Sequence, residues 1–268
     1  MSVGELSSGG LRVLFLGLPA GISAAALEKL LASGVDIVAV VVGARSVPHL
    51  LPAARDPWAW LSPYMPDARI GLSIAGAGGA ADTLSVAGAA GLPVIAVRDF
   101  KHPETLAALA GLAVDVAVVS CFAERLPAAM LSVLRFGFLN IHPSLLPAYR
   151  GPVPVFWQLR DGAETGVTVH YMGEGLDTGD IATQAAVPLP DGIPQADAER
   201  RLMLAGVDLV RDVLADLARG VVRRHPQPPG GSYFGFPQPA DFALSVEWPA
   251  RRAYNFMRAT AGDDVGYP

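Results

Sequence analysis

The feature that most constrains this chain is a repeated alternation. "LRVLFLG" (11–17) is a continuous apolar run closed by glycine, "ISAAALEKLLASG" has helical spacing, and "VDIVAVVVG" is a second apolar run. A strand without a polar face must be covered on both sides, which helical crossovers between parallel strands achieve. The segment is therefore a βαβ unit. The pattern continues with "ARIGLSI" (68–74), a helix over 81–90, "LPVIAV" (92–97), a helix over 103–112 and "VDVAVVS" (114–120). Four or five strands alternating with helices predict an α/β fold with a Rossmann-like, doubly wound, mostly parallel sheet.

Composition narrows the class. Hydrophobic residues make up 51% of the 268 and charged residues 17%, which excludes a disordered chain. No apolar run reaches membrane-spanning length, so no membrane partner is expected. Residues 1–10, "MSVGELSSGG", lack the basic start of a signal peptide; they predict a flexible terminus and a cytoplasmic protein. The single cysteine, Cys121, excludes an intramolecular disulfide and a Cys-based zinc site, and its apolar neighbours predict core packing. No histidine pair has ligand spacing, so no metal is expected. A net charge of −5 argues against a general polyanion-binding surface. The turn "GLPAG" (17–21) lacks the G-x-G-x-x-G spacing of a dinucleotide site.

Residues 44–67 carry Pro48, Pro52, Pro57, Pro63 and Pro66 with Trp58, Trp60 and Tyr64, without periodicity, and predict a long loop. "TGVTVHYM" alternates and "DIATQAAVPLP" follows it across a glycine-rich turn; both predict strands that extend the sheet. Residues 195–220 place Leu202, Leu209, Val213 and Leu217 at helical spacing before Gly220, which predicts a long amphipathic helix. "RRHPQPPGGSYFGFPQP" reads as a linker, and "SVEWPARRAYNFMRAT" as a short strand leading into a helix. The expected organisation is a terminus at 1–10, a catalytic domain at 11–222, and at 223–268 a linker and the start of a truncated or missing C-terminal domain.

Three polar features interrupt the apolar background: Asn140 and His142 in "FGFLNIHPSLLPAYRG", the loop "SLLPAYRG" itself, and "GEGLDTGD" (173–180). Asn140 and His142 are two apart and share one face of an extended chain. The carboxyl end of a strand is where open α/β sheets place ligands. An Asn amide can donate to a developing oxyanion, a His can move a proton near neutral pH, and Asp177 can orient that His. The trio suits acyl transfer to an amine. The plainer alternative is a turn-forming Asn-x-His and an Asx turn at Asp177 or Asp180. His170 reads as a half-buried strand residue, and His49, His102 and His225 read as loop residues.

The stretch "NIHPSLLPAYRGPVPVFWQLRDGAETGVTVHYMGEGLDTGDI" resembles the signature region of the 10-formyltetrahydrofolate-dependent formyltransferases, above all the methionyl-tRNA branch, with the sugar-amine branch next. The Asn-x-His-x-Ser-Leu-Leu-Pro block, the Tyr-Arg-Gly turn, the "ETGVT" strand and the "GLDTGD" loop stand at family spacing, and the looser likeness runs from about Leu11 to Arg258. The resemblance implies a formyltransferase fold and catalytic roles for Asn140, His142 and Asp177, with a protonated His142 helping to stabilise the oxyanion. It implies that the donor, 10-formyltetrahydrofolate, lies against Phe122, Ala123, Glu124, Arg125 and Leu126 and against Gly175 and Leu176. It further implies that Ser144, Leu145, Leu146 and Pro147 shape the substrate loop. The acceptor amine would be an initiator aminoacyl-tRNA or an amino-sugar nucleotide. The oligomeric state is open.

The match thins at two places. The loop that engages tRNA in the methionyl-tRNA branch corresponds here to 43–66, which offers only Arg45 and Arg55 to phosphate. That branch also adds a basic C-terminal barrel, and this sequence ends near where one would begin. Hydrolysis of the formyl donor by the same three residues, and a Rossmann-like binding module without catalysis, are the alternative readings.

Overall fold

The computed structural model describes residues 10–48, 56–61 and 82–262. Among the described residues, eight strands form one sheet: β1 (Arg12–Gly17), β2 (Asp36–Gly43), β3 (Trp58–Leu61), β4 (Val94–Val97), β5 (Val116–Ser120), β6 (Phe138–His142), β7 (Gly166–Tyr171) and β8 (Ile181–Ala186). Their order is β3-β4-β2-β1-β5-β6-β7-β8. β1 pairs in parallel with β2 and β5, and β2 with β4, whereas β3–β4 and β7–β8 are antiparallel. The helices are α1 (Gly21–Ala32), α2 (Thr83–Ala89), α3 (Pro103–Gly111), α4 (Ala128–Leu131), α5 (Pro154–Asp161), α6 (Gln195–Ala218) and α7 (Ala250–Ala259). The mostly parallel, Rossmann-like sheet predicted from the apolar runs is present.

The chain divides into two compact units, the first running to Asn140 and adding Val210–Val222, the second comprising Ile141–Leu209 and the residues from Arg223 onward. In the first, every residue of β4 and β5 is buried, as strands covered on both faces require. Two of its polar side chains brace the backbone. The buried Ser23 hydroxyl donates to the Ser120 carbonyl at 2.9 Å and accepts from Leu18 N–H at 3.2 Å. Asp82 caps α2 by accepting from Ser85 N–H at 2.7 Å.

The second unit is built on two apolar clusters. Val155, Leu159, Ala198, Leu202 and Ala259 form one, and Phe156, Trp157 and Phe256 form the other, with Tyr149, Phe234 and Trp248 packed against it. Fully burying side chains of this size contributes about 1.5–3 kcal/mol each. All six residues of β7 are buried, whereas β8 alternates beyond its first two residues. Thr168 and His170 on β7 therefore find hydrogen-bond partners inside the protein.

Four local expectations change. Within the loop expected at 44–67, Trp58–Leu61 forms β3, because an edge position tolerates a short tryptophan-rich strand between prolines. The strand expected at "SVEW" is a turn that leads into α7. The buried stripe of α6 uses Leu202, Val207, Val210, Val213, Leu214 and Leu217, and the expected Leu209 is only half-buried. Cys121 is half-buried with a positive φ of 51°, at the bend that ends β5 rather than inside the core. The expected strand at 68–74, the terminus at 1–9, and His49, Arg55, Tyr64, Pro52, Pro63 and Pro66 lie outside the described residues.

Candidate active site

β6 delivers a half-buried Asn140 and, two residues later, a His142 that is 4% exposed. The chain then turns sharply. Ser144 N–H donates to the His142 carbonyl at 2.8 Å, and the Ser144 hydroxyl donates to the Ala148 carbonyl at 2.8 Å. From β7, the Thr168 hydroxyl donates to the Ser144 carbonyl at 2.7 Å and accepts from Leu146 N–H at 3.1 Å. Ser144 and Leu146 are buried, Leu145 and Pro147 half-buried, and the Leu146–Pro147 peptide is cis. This platform returns Tyr149, at φ 58°, so that its carbonyl lies 2.9 Å from His142 Nε2.

A carbonyl oxygen only accepts, so this contact assigns the hydrogen to Nε2 and leaves Nδ1 as the basic nitrogen. His142 Nδ1 faces Asp177 Oδ1 at 3.7 Å, too long for a hydrogen bond and close enough for an ion pair once the ring is protonated. Asp177, 8% exposed, sits at φ 52° in the "GLDTGD" loop. Gly151 N–H donates to its Oδ2 at 2.8 Å. A Cβ on Gly179 would strike the Tyr171 carbonyl, so this loop closes only with glycine there.

His170 does not behave as the half-buried strand residue expected. It is 1% exposed, because β7 is covered on both faces, and its Nε2 lies 3.6 Å from the same Asp177 Oδ1. Its ring meets that of His142 edge-on, with centroids 6.2 Å apart. Two buried imidazoles thus face one buried carboxylate.

Burial lowers the His142 pKa below its ordinary 6.5; His170 adds to the lowering, while Asp177 and the Tyr149 carbonyl oppose it. Burial alone would raise the Asp177 carboxyl, but His170, His142 and Gly151 N–H outweigh it and hold the group below 3.8. At neutral pH the pair therefore rests as neutral imidazole beside carboxylate. The protonated His142 expected from the family likeness is a state that the ring enters only by taking a proton onto Nδ1, next to a charge that stabilises it. Tyr149 donates its hydroxyl to Asp161 Oδ2 at 3.1 Å, and burial together with Asp161 pushes its pKa up to about 12.

Beside the buried Asp177, Gly175 is exposed and Leu176 is 52% exposed. In the first unit, after β5, Ala123 and Arg125 are exposed, Leu126 is buried, and Phe122 meets Phe100 edge-on at 5.6 Å. Glu124 lies 3.9 Å from Arg45. Among the described residues no group of three or more His, Cys, Asp or Glu is placed to hold a metal ion.

Sequence reasoning missed His170 and the segment after 222. The signal at His170 misleads: "TVHYM" alternates polar with apolar residues as a half-exposed strand does, whereas all six residues of β7 are buried. The second had no local signal. "RRHPQPPGGSYFG" reads as linker, yet His225 exchanges both backbone hydrogen bonds with Ile181, at 2.8 and 2.9 Å. Ser232 accepts Tyr149 N–H on its hydroxyl at 2.9 Å, and Phe234 stacks on Trp157 with centroids 4.7 Å apart.

A doubly wound α/β sheet whose sixth strand ends in a buried histidine facing a buried carboxylate places the chain in the Rossmann-like class. The family described as formyl transferase matches residues 74–214, and the chain belongs to it. A methionyl-tRNA formyltransferase of Synechococcus sp. (strain JA-3-3Ab) is 38% identical over 165 residues, 61% of this chain and 51% of that protein. The chain thus spans about half the length of the curated relatives it matches. Among solved structures, a sugar N-formyltransferase from Shewanella sp. FDAARGOS_354 superposes with TM-score 0.63 at 19% identity, covering 95% of this chain and 89% of that one. The formyltransferase PseJ from Anoxybacillus kamchatkensis, in complex with UDP-4,6-dideoxy-4-formamido-L-AltNAc and tetrahydrofolate, superposes with TM-score 0.53 at 18% identity, covering 92% and 96%. No helix of the described residues is long and apolar enough to cross a membrane.

Proposed function

We propose that this chain transfers a formyl group from 10-formyltetrahydrofolate to a primary amine, with initiator methionyl-tRNA as the acceptor. The observation that carries the reading is the His142–Asp177 pair, neutral imidazole against buried carboxylate, in a chain of the formyl transferase family. The donor supplies an activated formyl carbon. When the amine attacks that carbon, His142 accepts the amine proton on Nδ1, and Asp177 stabilises the imidazolium that results. The Asn140 amide donates toward the negative charge that develops on the formyl oxygen. His142 then returns the proton to the departing folate nitrogen.

The residues suggested for the donor suit a flat heteroaromatic ring. Leu176 offers an exposed apolar side chain beside open turn backbone at Gly175. Phe122, Ala123, Glu124, Arg125 and Leu126 are our second set of donor contacts, and tetrahydrofolate bound to PseJ agrees with a folate donor. We assign Ser144, Leu145, Leu146 and Pro147 to the substrate loop, which the Thr168 hydroxyl supports. The initiator tRNA acceptor rests on the curated relatives of that name. For tRNA phosphate, Arg45 is exposed and only loosely paired with Glu124 at 3.9 Å, so its charge remains available. A cytoplasmic location accords with folate-dependent chemistry on tRNA.

The test is an acceptor screen with labelled 10-formyltetrahydrofolate, comparing initiator methionyl-tRNA with amino-sugar nucleotides. Label is expected on the tRNA. Label on the sugar alone would replace the acceptor while keeping the reaction, release of formate alone would favour hydrolysis, and calorimetry without folate binding would overturn the donor.

A further inference from the structure

Between residues 221 and 231 every side chain is exposed except that of Gln227. Its amide Nε2 donates to the carbonyl of Asp177 at 2.8 Å and to the carbonyl of Gly179 at 2.8 Å. Its Oε1 accepts from Arg150 Nη2 at 2.6 Å and from Nε at 3.2 Å. All the hydrogen-bonding capacity of one side chain is thus spent on two loops. Those loops carry the chemistry: Arg150 lies between Tyr149, whose carbonyl holds His142 Nε2, and Gly151, whose N–H holds Asp177 Oδ2.

The need for such a clasp follows from the backbone. Asp177 and Tyr149 both hold positive φ, which non-glycine residues adopt only when their surroundings impose it. The two carbonyls that Gln227 ties flank the bend of the aspartate loop. The chain of Arg150 is tied to the same segment through the backbone: Arg150 N–H donates to the Ser232 carbonyl at 2.9 Å, and Phe234 N–H to the Arg150 carbonyl at 2.9 Å. Gln227 thus joins the aspartate loop, the Tyr-Arg-Gly turn and its own segment, 223–236.

We infer that Gln227 is a positioning residue for the acid–base pair, clasping the Asp177 loop to the Tyr149–Gly151 turn so that the carboxylate stays aimed at His142 Nδ1. Its consequence for turnover rests on the formyl-transfer reading; its consequence for the imidazole does not. The charged or titratable groups that face His142 are Asp177 and His170. A carboxylate that drifts away withdraws the influence that raises the His142 proton affinity.

The experiment follows the His142 imidazole by NMR titration of the full chain, in the wild type, in Gln227→Asn and in Gln227→Met. Asn keeps the amide but withdraws it by one methylene, and Met keeps the length but has no donor, so neither adds charge. Both variants are expected to titrate at lower pH than the wild type and to lose kcat about 10-fold to 100-fold, with KM for the formyl donor little changed. Because Asn preserves polarity at a half-exposed position, it supplies the reading if Met does not fold. An unmoved His142 titration in a folded variant overturns the inference. A moved titration with unchanged kcat overturns the role in turnover. A moved titration in a protein without formyl transfer upholds the clasp and refutes the formyl-transfer reading instead.

Discussion

The ends of β1 and β6 look alike in one respect: each is a buried strand whose carboxyl end lies beside buried polar side chains. At the end of β1 the groups are hydroxyls. Ser23 satisfies Leu18 and Ser120, and the Thr83 hydroxyl donates to the Leu18 carbonyl at 2.6 Å. At the end of β6 the groups ionise, and burial drives His142 toward its neutral form while His170, His142 and Gly151 keep Asp177 charged. A buried hydroxyl with partners costs the fold little. A buried carboxylate facing two imidazoles carries a desolvation cost that an apolar replacement would avoid, and such arrangements cluster where proton transfer is done. The same burial therefore yields a brace in one place and, on the proposed reading, a proton-transfer group in the other.

The contrast can be broken most directly at β6. His142→Ala and Asp177→Ala are each expected to lower turnover by at least about 10²-fold, the scale of lost proton transfer or charge stabilisation. Wild-type rates in both would remove the assigned roles. His170→Asn should cost roughly 10-fold, since it acts on the reaction only through Asp177. Steady-state rates in which it equals Asp177→Ala would make His170 a direct participant.

At β1 the expected effect lies on stability alone. Ser23→Ala takes away the donor that Ser23 supplies to Ser120 and should destabilise by about 1–3 kcal/mol in urea unfolding, with turnover unchanged. A loss of turnover in the folded variant would show that the two ends are not functionally distinct. The smallest effect is on pH. Below 6.5 the unfolded chain binds a proton that folded His142 resists, so stability falls as pH drops from 6.5 toward the lowered value, and Asp177 continues the fall below 3.8. The melting temperature should decline with acid, and His142→Gln should flatten the upper part of that decline. A wild-type midpoint that rises between pH 6.5 and 5 would contradict the neutral resting imidazole.

How much of the site is legible in the sequence varies with the range of the interaction. Asn140 and His142 stand out because a two-residue period on an apolar strand is a local property. The glycine-rich turn at 173–180 is also visible locally, but that Gly179 is required by the Tyr171 carbonyl is not. His170 is misread because alternation in "TVHYM" suggests one wet face, while β7 is covered on both. Gln227 is invisible because Pro/Gly-rich composition reports only that no regular element forms. It says nothing of which loops an extended segment will touch.

By itself the sequence determines the run of strands and helices in this protein, the carboxyl-end placement of Asn140 and His142, and the glycine-rich turn at 173–180. These follow from sterics and periodicity within a few residues. Only the tertiary structure decides that Asp177 faces His142 and His170, that the Tyr149 carbonyl selects the Nε2–H tautomer, that His142 rests neutral, and that Gln227 ties two loops 50 and 77 residues away. Desolvation and long-range hydrogen bonding depend on what the finished fold excludes from water, and no window of sequence contains that information.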